Sequence, residues 1–205
     1  MPNTDLPDSL IASLTSLLGS ENVLTDPYDL DRYSGDALSP TRAFGAEDFF
    51  ERLADVVVRP GSTDDVSTIL KLANDTRTPI IPYGAGTGVM GGTVPAHGGI
   101  VLDLQRLNHI LAINPTDMTA EVEAGVVLED LEKALELQGL MPGHDPYSVP
   151  IATVAGTICT NGVGYRAGAN GPMGDQVVAL DVVLADGRVM NTRAVPMQSS
   201  GPSLK

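Results

Sequence analysis

Pro82-Tyr83-Gly84-Ala85-Gly86-Thr87-Gly88-Val89-Met90-Gly91-Gly92 follows directly on the apolar run Pro79-Ile80-Ile81. A strand therefore empties into a loop almost without side chains. Glycine lets a ligand approach the backbone closely. Successive exposed N–H groups in such a loop form a concavity for anions. Glycine-rich turns also occur purely for tight geometry, so the pattern alone fixes no ligand. The loop has no Lys, Arg or His, so any phosphate it holds is held by backbone dipoles. It is not a Walker loop, because Val89-Met90 stand where Gly-Lys-Ser/Thr is required. Nor is it a Rossmann turn. Pro95 and Gly98-Gly99 follow where a helix should open.

The flanking pattern predicts a β-α-β unit over residues 54–83. Ala54 to Arg59 is a β-branched run stopped by Pro60-Gly61, and Pro79 to Tyr83 is the second strand. Between them Val66, Ile69, Leu70 and Ala73 recur at helical spacing, with Thr63 as N-cap and Asp64-Asp65 in the first turn. The glycine loop sits at the carboxyl end of the unit, the usual ligand position in such units. Before it, Leu6, Leu10, Ile11, Leu14, Leu17 and Leu18 predict a helix over 6–18. Asp5 would cap it, Pro7 would sit in its first turn and Gly19 would end it. Residues 20–50 read as a loosely structured lead-in with turns at Asp26-Pro27, Ser34-Gly35 and Ser39-Pro40.

Beyond the loop, Gly99 to Leu104 is a third strand. His109–Asn114 and Thr119–Ala124 form a hairpin, and Val127–Leu137 a helix with Leu128, Leu131 and Leu135 inward, closed by Gly139. Val177–Ala185 and Arg188–Thr192 form a second hairpin around Asp186-Gly187. The tail from Val195 is polar. A second segment of small residues and hydroxyls runs from Pro142 to Gly164, with Arg166 its one basic neighbour. Two such surfaces facing each other would enclose a long, flat, doubly phosphorylated ligand; the alternative is a loop region packed on itself.

A formal charge of −14 argues against nucleic acid and anionic membrane as partners. One cysteine, Cys159, excludes an internal disulfide and suits a cytoplasmic location. No apolar run is long enough to span a bilayer, so no membrane insertion is expected. His97 reads as a turn residue, His109 as a strand-edge residue, His144 as a surface residue and Cys159 as a packed one. None is assigned to catalysis, and no metal-ligating set stands out.

The two glycine segments together resemble the FAD-binding domain of the vanillyl-alcohol oxidase and para-cresol methylhydroxylase flavoprotein family. The closest branch is that of the glycolate oxidase large subunit and the D-lactate and D-2-hydroxyglutarate dehydrogenases, with alkyldihydroxyacetone-phosphate synthase a near relative. The resemblance runs from about Leu10 to the last residue. It is carried by Val58-Arg59-Pro60 with Thr63-Asp64-Asp65-Val66, by Pro82 to Gly92, by Asp145-Pro146 with Ser148, by Thr153 to Gly164, and by Leu180 to Gly187.

The resemblance implies an α+β fold, a two-subdomain FAD-binding domain of the para-cresol methylhydroxylase type, incomplete at its C-terminus. The expected division is a lead-in over 1–50 and a FAD-binding domain over 51–205. Within the latter, a β-α-β subdomain occupies 54–113 and a truncated second subdomain 114–205. It implies cofactor contacts from Pro82, Tyr83, Gly84, Ala85, Gly86, Thr87, Gly88, Gly91 and Gly92. The second segment would contribute Asp145, Pro146, Ser148, Thr153, Val154, Gly156, Thr157, Thr160, Asn161 and Gly162. Thr87 stands where some members tether flavin through a histidine, so FAD is expected to be non-covalent. Ala155-Gly156 and Asn161-Gly162-Val163-Gly164 replace Gly-Gly and Asn-Ala-Gly-Gly. The implied activity is hydride transfer from a small 2-hydroxy acid to flavin, the substrate being bound through a missing C-terminal domain. The alternative is a stand-alone flavin- or nucleotide-binding module without catalysis of its own, needing a partner subunit. Under a third reading the fragment, lacking part of its site, does not hold FAD stably.

Overall fold

The computed structural model describes residues 6–38, 53–194 and 204. A four-stranded sheet lies at its centre in the order β1-β2-β4-β3. These strands are β1 (Val23–Leu24), β2 (Val56–Val58), β3 (Ile80–Tyr83) and β4 (Ile100–Asp103). β4 pairs in parallel with both β2 and β3, placing Val56 opposite Ile100 and Tyr83 opposite Asp103. β1 pairs antiparallel with β2.

The expected β-α-β unit over 54–83 is present, with a helix joining two parallel strands of one sheet, but it spans an inserted strand. The two strands of 54–83 are not neighbours, because β4 is inserted between them. The reason is chemical. All of β4 is buried, and its Ile100-Val101-Leu102 run suits a strand covered on both faces. β3 contains Pro82, which has no N–H to give to a ladder and belongs on an edge.

Side-chain alternation divides the sheet into two faces. Val56, Val58, Ile100 and Leu102 pack against Leu10, Leu14 and Leu18 of α1 (Asp8–Leu18) and Val66, Ile69 and Ala73 of α3 (Thr63–Thr76). Val57 and Val101 pack on the opposite face with Leu30 and Tyr33 of α2 (Pro27–Tyr33). Residues 20–38 are therefore not loosely structured. They contain a 3-10 turn, β1 and α2, and Asp26-Pro27 is a helix start: the Asp26 carboxylate accepts from Tyr28 N–H at 2.9 Å, with Pro27 at the first helical position. Residues 39–50 of the lead-in lie outside the described residues.

The caps differ in detail. Ser62, not Thr63, caps α3, its hydroxyl accepting from Asp65 N–H at 3.1 Å. α1 begins with Pro7 at its N-cap; Asp5 lies outside the described residues. Gly19 ends α1 with φ +82° and Gly139 has φ +70°.

A second core gathers Leu128, Leu131 and Leu135 of α4 (Leu128–Glu136) with Val126, Ala152, Val154 and Met173. The antiparallel hairpin β5 (Ile110–Asn114) and β6 (Thr119–Val122) covers it with Ile110, Ile113 and Val122. Hairpin β7 (Asp181–Val183) and β8 (Val189–Asn191) turns at Asp186-Gly187. It returns to the first core, where Ser67 of α3 donates to the Gly187 carbonyl. No described helix is long and apolar enough to cross a membrane.

Ile69 is fully buried between α3 and the sheet. Ile69→Ala is expected to lower stability by about 2–5 kcal/mol, read as a shift of the urea midpoint at unchanged slope.

Candidate cofactor site

The carboxyl ends of β2, β3 and β4 converge on one carboxylate. Asp103, wholly buried at the end of β4, accepts from Tyr33 Oη at 2.9 Å and from Gln105 N–H at 3.0 Å. Arg59, just after β2, places Nε 3.4 Å from Asp103 Oδ2, outside hydrogen-bond geometry. Burial, and then Asp103, push the Tyr33 hydroxyl up to about 12. Tyr83, the last residue of β3, meets the Tyr33 ring edge-on with centroids 4.9 Å apart. Burial and Asp103 raise its hydroxyl as well.

The chain then enters the glycine loop. Gly84 to Gly88 are all half-buried. None of the nine amides from Gly84 to Gly92 donates to an acceptor among the described residues. The loop is instead fixed through its carbonyls and Thr93. Ala37 N–H donates to Gly88 O at 2.8 Å, Val94 N–H to Gly91 O at 3.1 Å, and Thr93 Oγ1 to Gly35 O at 2.9 Å. Two glycines are required by contact. A Cβ at Gly84 would collide with Thr153 Oγ1, and one at Gly86, where φ is +63°, would stand 2.5 Å from Tyr83 Oη.

Gly84 thus joins the loop to the second glycine segment. There Val154–Cys159 forms α5, a short helix that the sequence pattern does not announce. Buried Thr153 caps it, accepting from Gly156 N–H at 3.3 Å. The first amides of α5 are already used: Val154 donates to Val126 O and Ala155 to Ala124 O. Thr157 Oγ1 donates to Val154 O and Thr160 Oγ1 to Gly156 O. Asp145 is engaged by Arg166, through N–H at 2.7 Å and Nε at 3.3 Å. The Ser148 carbonyl accepts from Ile151 and Ala152, Pro146 O accepts from Val149, and Asn161 Oδ1 accepts from Gly174 N–H. The structure thus brings Thr153 to the loop, while Asp145, Thr157 and Thr160 direct their polar atoms into their own segment.

Between the two segments lies a cleft of about 290 Å³. Arg32, Tyr33, Tyr83 and Ala85 form one wall, and Val127 and Ile151 stand on the other. The contribution of α2 was missed by the sequence reading. The signal for it is Asp26-Pro27, a pair that suits a helix start as well as a turn.

Four further residues complete the picture, and two of them depart from the sequence expectation. His144 is 2% exposed, not a surface residue, and neither ring nitrogen finds a hydrogen-bond partner among the described residues. It packs against Gly162, where a Cβ would stand 3.0 Å from Nε2. Burial lowers its basicity, opposed by the Asp145 charge. Cys159 is exposed rather than packed, because α5 turns Val154 and Thr157 inward and leaves its last residue outside. His97 is exposed in a turn, and His109 lies before β5 with Nδ1 2.7 Å from Glu123 Oε2. Among the described residues no cluster of His, Cys, Asp and Glu could hold a metal ion.

The FAD binding domain family matches residues 54–193. This chain belongs to that family. It is 39% identical over 150 residues to glycolate oxidase subunit GlcD of Bacillus subtilis (strain 168), covering 73% of this chain and 32% of that protein. It is 39% identical over 176 residues to a D-lactate dehydrogenase of Archaeoglobus fulgidus, covering 85% of this chain and 38% of that one. The chain therefore spans about a third of the length of these curated relatives. The structure of 4-ethylphenol oxidase from Gulosibacter chungangensis superposes with a TM-score of 0.76 and 26% identity, over 100% of this chain and 40% of that one. p-Cresol methylhydroxylase (TM-score 0.74, 24% identity, 96% and 39% covered) and alkyldihydroxyacetonephosphate synthase (0.84, 23%, 98% and 37% covered) share the fold. The α+β architecture of the para-cresol methylhydroxylase type is thus established.

Gly84→Ala is expected to cost about 1–3 kcal/mol by overpacking against Thr153. Thr153→Ala alone loses a helix cap, about 1 kcal/mol. The double variant should be less destabilised than the sum, since removing Oγ1 makes room for the new methyl; a denaturation cycle measures this coupling. For His144 the sign follows from its lowered folded value. As pH falls below the ordinary 6.5, the unfolded chain takes up the proton first. Stability is therefore complete above that pH and falls below it, and His144→Gln should flatten this arm in denaturant titrations.

Proposed function

We propose that this chain is the FAD-binding portion of an oxidoreductase that oxidises a 2-hydroxy acid of the glycolate or D-lactate class. The observation that carries the reading is the run of nine amides from Gly84 to Gly92 without acceptors among the described residues. These are the donors a diphosphate needs, and the glycines leave no Cβ to hold it off. When bound, FAD supplies the hydride acceptor.

The chain's own residues hold and orient. In this reading Gly84, Ala85, Gly86, Thr87, Gly88, Gly91 and Gly92 bind the diphosphate through main-chain N–H, and Pro82-Tyr83 form the entrance. Thr153, Val154 and Gly156 shape the facing wall. Asp145, Pro146, Ser148, Thr157, Thr160, Asn161 and Gly162 support it, with Asp145 acting through its contact to Arg166. With Thr87 rather than a histidine in the loop, FAD is held non-covalently. The domain division assigns 1–50 to a lead-in, 54–113 to a first subdomain and 114–205 to a second, whose last hairpin leans back on α3.

The group that accepts the substrate's hydroxyl proton belongs, in this reading, to a further domain or a partner subunit. The names of the relatives support the substrate class, and a cytoplasmic location goes with the single cysteine. Nucleic acid is not a partner for a chain of charge −14.

Purified protein mixed with FAD and then dialysed is expected to keep the visible flavin bands. Acid precipitation should release the flavin into the supernatant. A colourless, folded protein after dialysis would favour the reading in which the chain, lacking part of its site, does not hold FAD stably; colour remaining in the pellet would overturn non-covalent binding.

A further inference from the structure

We propose that Arg32 of helix α2 supplies the cationic contact to the cofactor diphosphate that the glycine loop itself lacks. The inference rests on the FAD reading above. The loop offers dipoles but no full charge, in a protein of charge −14. Two carboxylates stand close to it. Asp36 Oδ2 is buried without a hydrogen-bond partner among the described residues and would lie 3.3 Å from a Cβ at Gly88. Asp103 lies directly across the ladder from Tyr83. An anion entering between them meets repulsion that amide dipoles alone must overcome.

Two guanidinium groups lie near enough to offset those charges. Arg59 faces Asp103 at 3.4 Å. Arg32 instead lies over the Tyr33 ring, with Cζ 5.6 Å from the centroid. Its side chain is exposed, and it is the one charged residue among the described residues lining the cleft, where it shares a wall with Tyr83 and Ala85. Its positive charge lowers the hydroxyls of both Tyr33 and Tyr83, against the burial and carboxylate effects that raise them.

The position of Arg32 is fixed from below. Leu30 and Tyr33 are buried on either side of it in the sequence, and Tyr33 Oη is tied to Asp103 at 2.9 Å. Stacking on an aromatic face orients the guanidinium plane and leaves its N–H groups free for a phosphate, which the fork geometry matches. Helix α2 is in this way part of the cofactor site.

The test titrates FAD, ADP and adenosine into the whole chain and into Arg32→Ala and Arg32→Lys, at low and high salt. Flavin fluorescence follows FAD, calorimetry follows the other two, and thermal melting checks the fold. Arg32→Ala should bind FAD and ADP about tenfold to a hundredfold more weakly. Adenosine binding should be unchanged, and the salt dependence of ADP affinity should flatten. Arg32→Lys should recover part of the loss. Wild-type affinity and salt dependence in Arg32→Ala would overturn the role of Arg32 and leave the FAD reading standing. Equal weakening of ADP and adenosine would overturn it too, since the diphosphate would not be the group contacted. Failure of the wild-type chain to bind FAD or ADP would overturn the Arg32 contact together with the reading that this chain holds FAD by itself.

Discussion

The side chain of Asp103 has no contact with solvent, and the geometry of the cleft depends on it. A buried carboxylate is tolerated when its oxygens are answered by donors and positive charge. Here the answers come from three places: Tyr33 on α2, Arg59 after β2 and the backbone of Gln105. One group thereby sets the distance between a helix from the lead-in and the strand that carries the glycine loop. Tyr33 then buttresses Tyr83, whose hydroxyl lies under Gly86. Each step is a contact between particular atoms, so the loop inherits the rigidity of the sheet although it has almost no side chains of its own.

That inheritance explains a division of labour within the loop backbone. Carbonyls of Gly88 and Gly91 anchor to protein donors, while the amides of the same stretch have no acceptor among the described residues. An amide left unpaired deep in a core would be costly. From Gly84 to Met90 every position is half-buried or exposed, so water can answer the amide, the cost is small and the group stays available. Glycine serves both needs. It permits the positive φ at Gly86 and Gly91 and leaves Gly84 thin enough to lie on Thr153.

Local pattern in the sequence fixes much of this architecture. Leu10, Leu14 and Leu18 mark α1, Val66, Ile69 and Ala73 mark α3, and Leu128, Leu131 and Leu135 mark α4, because a 3.6-residue period is written in any helix with one buried face. Asp186-Gly187 likewise marks its hairpin, and the order of glycine motifs marks the family. What stayed hidden depends on distant partners. Strand order is not a local property, although Pro82 was a hint that β3 lies at an edge. α5 is too short and too rich in β-branched and glycine residues to announce itself; it exists because Thr153 caps it and Val154 anchors it. The burial of His144 arises from its contact with Gly162, and nothing in a Pro-Gly-His-Asp-Pro stretch reveals that.

The insertion of β4 between β2 and β3 also bears on how the protein assembles. β2 and β3, made one after the other, do not pair with each other in the finished sheet; the edge of each that faces the other must wait for β4, made later. Until then two apolar edges stand open at once, and closing them requires contacts between segments far apart along the chain. Such non-local closure slows folding and lengthens the exposure of strand edges that invite intermolecular pairing. Pro82 in β3 has a second use here. The bonds to β4 come from its odd-numbered neighbours, such as the Pro79 and Tyr83 carbonyls, so the missing N–H lies on the outer edge that β3 keeps open and makes that edge a poor template for aggregation.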